Sequence, residues 1–115
     1  MENTRINWKK IKHFSSEEFR DPDRLDLVAM IKLDNAREIA NTPFVITSAW
    51  REDKDSAHNT GKAFDIRCHN DRDRWHILNG LFASGFKRIG IYNKHIHADT
   101  DSSRDNFVVW TGKSR

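Results

Sequence analysis

The apolar positions of this chain fall into short runs of changing period, which predict two helices and several short strands. Residues 22–40 repeat with a roughly helical period, and Leu27, Val28, Ile31 and Leu33 form the expected apolar face. Asp21 stands where a cap is needed, Pro22 suits a first turn, and Asn41 with Pro43 stops the helix. Residues 44–47, Phe-Val-Ile-Thr, read as a short buried strand. The polar segment 48–61 reads as a surface loop. From Lys62 to Cys68 the period changes to two: Phe64, Ile66 and Cys68 share one face, and Ala63, Asp65 and Arg67 share the other. A second helix is expected from a cap at Asn70 or Asp71 to Ser84, with Trp75, Leu78, Leu81 and Phe82 on one side and Gly85 as terminator. Three strands should follow, over residues 88–92, 95–99 and 107–110, the first two joined by a turn at Asn93-Lys94. This order predicts an α+β fold with a small, mainly antiparallel sheet and two principal helices.

The chain has 115 residues, which bounds it to a single domain over 1–115. Hydrophobic residues make up 37% and charged residues 32%, and seven Phe with four Trp supply enough apolar volume for a core. The formal charge of +3 comes from 20 basic and 17 acidic residues that are interspersed, as in Arg20-Asp21-Pro22-Asp23-Arg24. No basic run or stripe forms, so nucleic acid is not an expected partner. Cys68 is the only cysteine, so no internal disulfide is possible, and its alternation with Phe64 and Ile66 predicts burial. No apolar run approaches the roughly 18 residues of a membrane span, and the start MENTRINWKK lacks the apolar stretch of a signal peptide. The expected product is made in the cytoplasm without a signal peptide, is not membrane-bound and is a monomer.

The candidate chemistry lies in the histidines. His95 and His97 are two apart, so on a strand both imidazoles project from one face, and Asp99 continues that line while Ile96 and Ala98 face the core. His58 and Asp65 are seven apart. On one continuous strand, at about 3.3 Å per residue, they would lie more than 20 Å apart and on opposite faces. To share an ion at about 2.0–2.2 Å the chain must turn back between them, and Gly61 can provide the turn. Two neutral imidazoles and one carboxylate form a donor set suited to Zn2+, with a fourth position for water.

The stretch Ser56-Ala57-His58-Asn59-Thr60-Gly61-Lys62-Ala63-Phe64-Asp65 resembles the S-x-H-x-x-G-x-A-x-D signature of the zinc D-alanyl-D-alanine carboxypeptidase family, which includes L-alanyl-D-glutamate endopeptidases of phages and bacteria. Upstream, Ile46-Thr47-Ser48-Ala49-Trp50-Arg51 is similar to the family's strand followed by Ser-Gly-Tyr-Arg, with Ala49 and Trp50 substituted. Downstream, Gly90-Ile91-Tyr92 and His95-Ile96-His97-Ala98-Asp99 are similar to its closing G-x-Y and H-x-D elements, and Phe14 to Phe19 is similar to its opening. The resemblance implies a hedgehog-like single domain in which His58, Asp65 and His97 ligate zinc. Many members carry a Glu three residues before the last ligand, where this chain has Lys94. Members with His-x-His keep a histidine at the position of His95, which implies that His95 is the general base or the oxyanion partner. Lys94, by strand alternation, should point away from both histidines.

By the same resemblance Arg51 contacts the substrate's carboxylate or its polarised carbonyl. Ser56 is expected to hydrogen-bond near the site, and Asp99 to orient a ligand imidazole from behind. The implied reaction is hydrolysis of an amide bond in a peptidoglycan stem peptide. The bond itself stays open, between a D,D-carboxypeptidase, a D,D-endopeptidase and an L-alanyl-D-glutamate endopeptidase acting as a phage lysin. A zinc-stabilised wall-binding module without catalysis is the alternative from another class, since the usual Glu is absent. A non-haem iron oxygenase shares the donor set, but its His-x-Asp/Glu spacing differs from the six residues between His58 and Asp65. With no signal peptide or wall-binding domain expected, action at the cell wall follows release as a lysin or carriage on a virion.

Overall fold

The computed structural model describes residues 5–113. It contains two α-helices, α1 (Leu27–Ala40) and α2 (Asp71–Ala83), and five strands: β1 (Ile46–Ser48), β2 (Ala63–Arg67), β3 (Arg88–Ile91), β4 (His95–Asp99) and β5 (Val108–Thr111). The strands form one sheet in the order β1-β2-β4-β3-β5. β1 with β2, β2 with β4, and β4 with β3 are antiparallel, whereas β3 and β5 are parallel. The α+β class agrees with the sequence reading, but the sheet is mixed rather than mainly antiparallel. The cause lies in the β4 edges. β2 occupies one and β3 the other, so the chain leaving β4 passes over to the outer edge of β3 and runs parallel to it.

The alternation over residues 62–68 holds. Phe64, Ile66 and Cys68 are buried, as are Ile96 and Ala98 on β4 and Ile89 on β3, and they form a continuous core with the buried faces of both helices. The opposite sheet face carries Asp65, Arg67, His95 and His97. Phe14 and Phe19 close one end of the core, with Phe19 set edge-on to Phe64 at 6.4 Å. Asp34, buried on α1, accepts hydrogen bonds from the backbone N–H groups of Lys12 and His13 and ties this N-terminal segment down.

Three expected details are corrected. The helix does not start at Pro22: residues Pro22–Arg24 form a separate 3-10 turn, and Asp26 caps α1 by accepting from the Ala29 N–H. Val28 and Ile31 are exposed, and α1 instead buries Ala29, Met30, Leu33, Ala36 and Ala40. Small residues carry that face because α2 approaches closely, with Gly80 set so near the Ala36 carbonyl that a Cβ would lie 2.3 Å from it. On α2, likewise, Trp75 and Phe82 are exposed while Ile77, Gly80 and Leu81 are buried. The helix starts from Asn70, whose side chain caps the Asp73 N–H, and ends before Gly85 at φ 97°.

The segment between β1 and β2 is more ordered than a surface loop. Residues Ala57–Thr60 form a 3-10 turn that buries Ala57 and His58, and Gly61 closes it in the left-handed region at φ 71°. A Cβ on Gly61 would lie 2.1 Å from the Arg24 carbonyl oxygen. Gly61→Ala therefore meets both a left-handed backbone and a backbone clash, and should cost at least about 2 kcal/mol. The melting temperature is expected to fall by roughly 6 °C or more, a shift that a thermal melt reads directly.

Candidate metal centre

Two adjacent strands and the 3-10 turn bring the donors together. Asp65 on β2 is paired in register with His97 on β4, so both side chains leave the same face as direct cross-strand neighbours. His58 arrives from the turn that Gly61 closes. Its Nδ1 lies 2.6 Å from the Ala49 carbonyl oxygen, which fixes Nδ1 as a donor and turns Nε2 toward Asp65. His58 Nε2 and His97 Nδ1 stand 3.5 Å and 3.1 Å from Asp65 Oδ1. Donor atoms of all three residues lie within 4.8 Å of one another.

A tetrahedral ion with bonds of about 2.1 Å needs its donors roughly 3.4 Å apart. The two separations from Asp65 bracket that value, and the two imidazole donors lie within 4.8 Å of each other, so the three can close on one ion. The fit is also chemical. The second nitrogen of His97, Nε2, is 2.6 Å from Asp99 Oδ2, an arrangement in which a carboxylate fixes the imidazole tautomer and raises its basicity toward a metal. Asp99 is buried and held in turn by Arg88 Nε at 2.8 Å and by the Asp101 N–H at 3.0 Å. Asp99→Asn should lower zinc affinity about 10–100-fold, measurable by competition with a chromophoric chelator.

The electrostatics follow from this packing. Burial alone would raise the Asp65 carboxyl, but hydrogen bonds from His58 and His97 and their charges outweigh it and hold the group well below the ordinary carboxylate range. Burial alone would lower His97, yet hydrogen bonds and charge from Asp65 and Asp99 leave it above its ordinary value of 6.5. His97 must lose a proton to ligate, so zinc displaces the proton on Nδ1 while Nε2–H stays on Asp99. Because that proton is held above the usual pH, affinity should keep rising as pH increases through and beyond 6.5, checked by zinc titrations at a series of pH values.

The donors lie at the floor of an open cleft of about 850 Å³. His95, the partner of Arg67 in the β2–β4 register, lines it and stacks flat on Tyr92, with ring centres 4.4 Å apart. Burial pulls its proton affinity down, and the charges of His97, His58 and Arg51 act in the same direction against Asp65, which favours the neutral imidazole. Arg51 reaches in from the loop after β1, donating to Ser48 Oγ at 2.9 Å and lying 3.7 Å from both Asp65 and Asp53. Ser56 lines the cleft too, and its hydroxyl accepts from the His58 N–H at 3.1 Å, which caps the turn carrying that histidine.

Lys94 also lines the cleft, contrary to the expectation from strand alternation, because it belongs to the two-residue turn before β4 and not to the strand. Sequence reasoning assigned no role to Arg88, Tyr92, Arg67 or Lys113. Trp110 lies over Gly90, where a Cβ would sit 2.6 Å from the indole nitrogen, and donates to Tyr92 Oη at 2.9 Å. The two rings thereby wall the cleft beside His95 and His97. Only the β3–β5 pairing, invisible in the strand pattern, brings Trp110 there.

The fold and the converging His-Asp-His donors define a small α+β domain with a site that can hold one metal ion. A family model described as peptidase M15 matches residues 8–99, and the chain belongs to that family, whose members are zinc peptidases of the D-alanyl-D-alanine carboxypeptidase and endopeptidase type. No curated protein and no solved structure matches the chain.

Proposed function

We propose that this protein is a zinc peptidase that hydrolyses an amide bond in peptidoglycan stem peptides. The observation that carries the reading is the donor triangle of His58, Asp65 and His97, spaced for one ion at the floor of a cleft lined by His95 and Arg51. A zinc ion held there supplies Lewis-acid polarisation of a carbonyl and a water whose pKa falls from 15.7 to about 7.

The chain's own groups do the rest. An imidazole nitrogen of His95 accepts a proton from the attacking water and returns it to the leaving amine as the C–N bond breaks. Arg51 offers a planar guanidinium to the substrate's carboxylate or to the oxygen that gains charge in the tetrahedral state, where stabilisation accelerates the reaction. Ser56 holds the turn of His58 at the cleft edge, and Asp99 orients His97. The protein acts as a monomer at the cell wall, delivered as a lysin or on a virion.

Digestion of purified peptidoglycan followed by mass spectrometry tests the reading. New muropeptide fragments, paired so that their masses sum to the parent plus one water, should appear, vanish with a chelator and return with added zinc. Zinc-loaded protein that leaves every stem peptide intact would instead favour a wall-binding module.

A further inference from the structure

The cleft extends past the donor pair in both directions along β2, giving two arms, and the mechanism assigns no role to the cations at the Arg67 end. Arg51 approaches from the side where β2 begins, since β1 runs antiparallel to β2 and the chain continues past the Ser48–Asp65 pair. At the other end of β2, Arg67 is paired with His95, one step along the same face from the Asp65–His97 pair. That step is about 7 Å along the strand. Lys94 and Lys113 line this second arm together with Arg67 and His69.

The charges of the two arms differ. The acidic residues of the cleft are Asp53 and Asp65, and both stand 3.7 Å from Arg51. No carboxylate among the described residues forms an ion pair with Arg67. Three cations thus share a concave wall with no acid lining it, and a concave wall focuses their field on whatever enters. A guanidinium lining the cleft can match the planar geometry of a carboxylate in two parallel hydrogen bonds.

We propose that Arg67, with Lys94 and Lys113, forms a second anion subsite that takes a peptide carboxylate within two residues of the bond under attack, on the side away from Arg51. The spacing supports this. An extended peptide advances about 3.3–3.6 Å per residue, so the 7 Å step from the donor pair to Arg67 corresponds to two residues. The subsite defines the substrate as a peptide carrying a negative charge in that arm, from either an acidic side chain or a chain terminus. It rests on the peptidase reading for its occupant, but its binding can be measured without turnover.

The experiment uses a D-glutamate-containing stem peptide in three forms: both carboxylates free, the side-chain carboxylate amidated, and the terminal carboxylate amidated. Binding to the zinc-loaded protein is followed by titration calorimetry, and hydrolysis is recorded in parallel. One amidated form should bind about tenfold more weakly than the free acid, and the form that does so identifies the carboxylate seated in the subsite. In Arg67→Gln the ratio of acid to amide affinity should collapse toward one. Arg72→Gln, on the exposed side of α2, should keep it, and raising salt from about 0.05 to about 0.5 M should compress it. Equal binding of all three forms, or an unchanged ratio in Arg67→Gln, would overturn the subsite. If no form is hydrolysed the peptidase reading fails by itself, and the calorimetric ratios still decide whether the arm selects anions.

Discussion

His58→Ala is expected to lose zinc and hydrolysis together. The imidazole is one of three donors, it is buried, and the Ala49 carbonyl fixes it so that Nε2 faces Asp65. No other histidine or acid is grouped with these three donors among the described residues. The affinity loss should exceed the roughly 10–100-fold that follows removal of an outer partner, because a direct ligand is gone. Removing the side chain also empties space in the core and leaves the Ala49 carbonyl without its donor, so a stability loss of about 2–4 kcal/mol should accompany it. His58→Gln keeps polar volume but presents an amide in place of the imidazole nitrogen. It should recover part of the stability and none of the turnover. Zinc content by elemental analysis, read beside a thermal melt, separates the two effects. Full zinc occupancy in either variant would remove His58 from the metal site.

His95→Ala is expected to behave differently. Its side chain lies two cross-strand pairs from the donor pair on the same face and stacks on Tyr92, so its loss leaves the donor triangle in place. Zinc should stay bound at one equivalent while kcat falls about 10²–10⁴-fold, the usual contribution of a positioned acid or base. A small exogenous base such as imidazole, diffusing into the open cleft, should restore part of the rate. Activity close to that of the unaltered protein would take His95 out of the mechanism and shift attention to Lys94, which lines the same cleft.

The legible parts of the site were those set by strand alternation. Asp65 had to face away from Phe64 and Ile66, and His97 away from Ile96 and Ala98, because a two-residue period leaves no other choice once one face is buried. The turn at Gly61 was legible as well, since His58 and Asp65 can meet only if the chain reverses. What the sequence hid came from long-range pairing and from small residues. Val28 and Ile31 resemble a helix face more than Ala29, Ala36 and Ala40 do, yet close approach of Gly80 selects the alanines. The parallel placement of β5 depends on which sheet edge is free, a property of the assembled sheet that no strand carries by itself. Trp110 and its contacts with Tyr92 and Arg88 follow from that placement. The second arm of the cleft was hidden for the same reason: Arg67, Lys94 and Lys113 are distant in sequence and come together only through the β2–β4 and β3–β5 registers.

X-ray absorption at the zinc edge of the loaded protein tests the central claim most directly, because it counts and identifies the atoms around the ion. Two imidazole nitrogens and two light oxygens at about 2.0–2.2 Å, with one zinc per chain, are the predicted shell, one oxygen coming from Asp65 and the other from solvent. A sulfur at about 2.3 Å, which would bring in Cys68, or a shell without imidazole would contradict it.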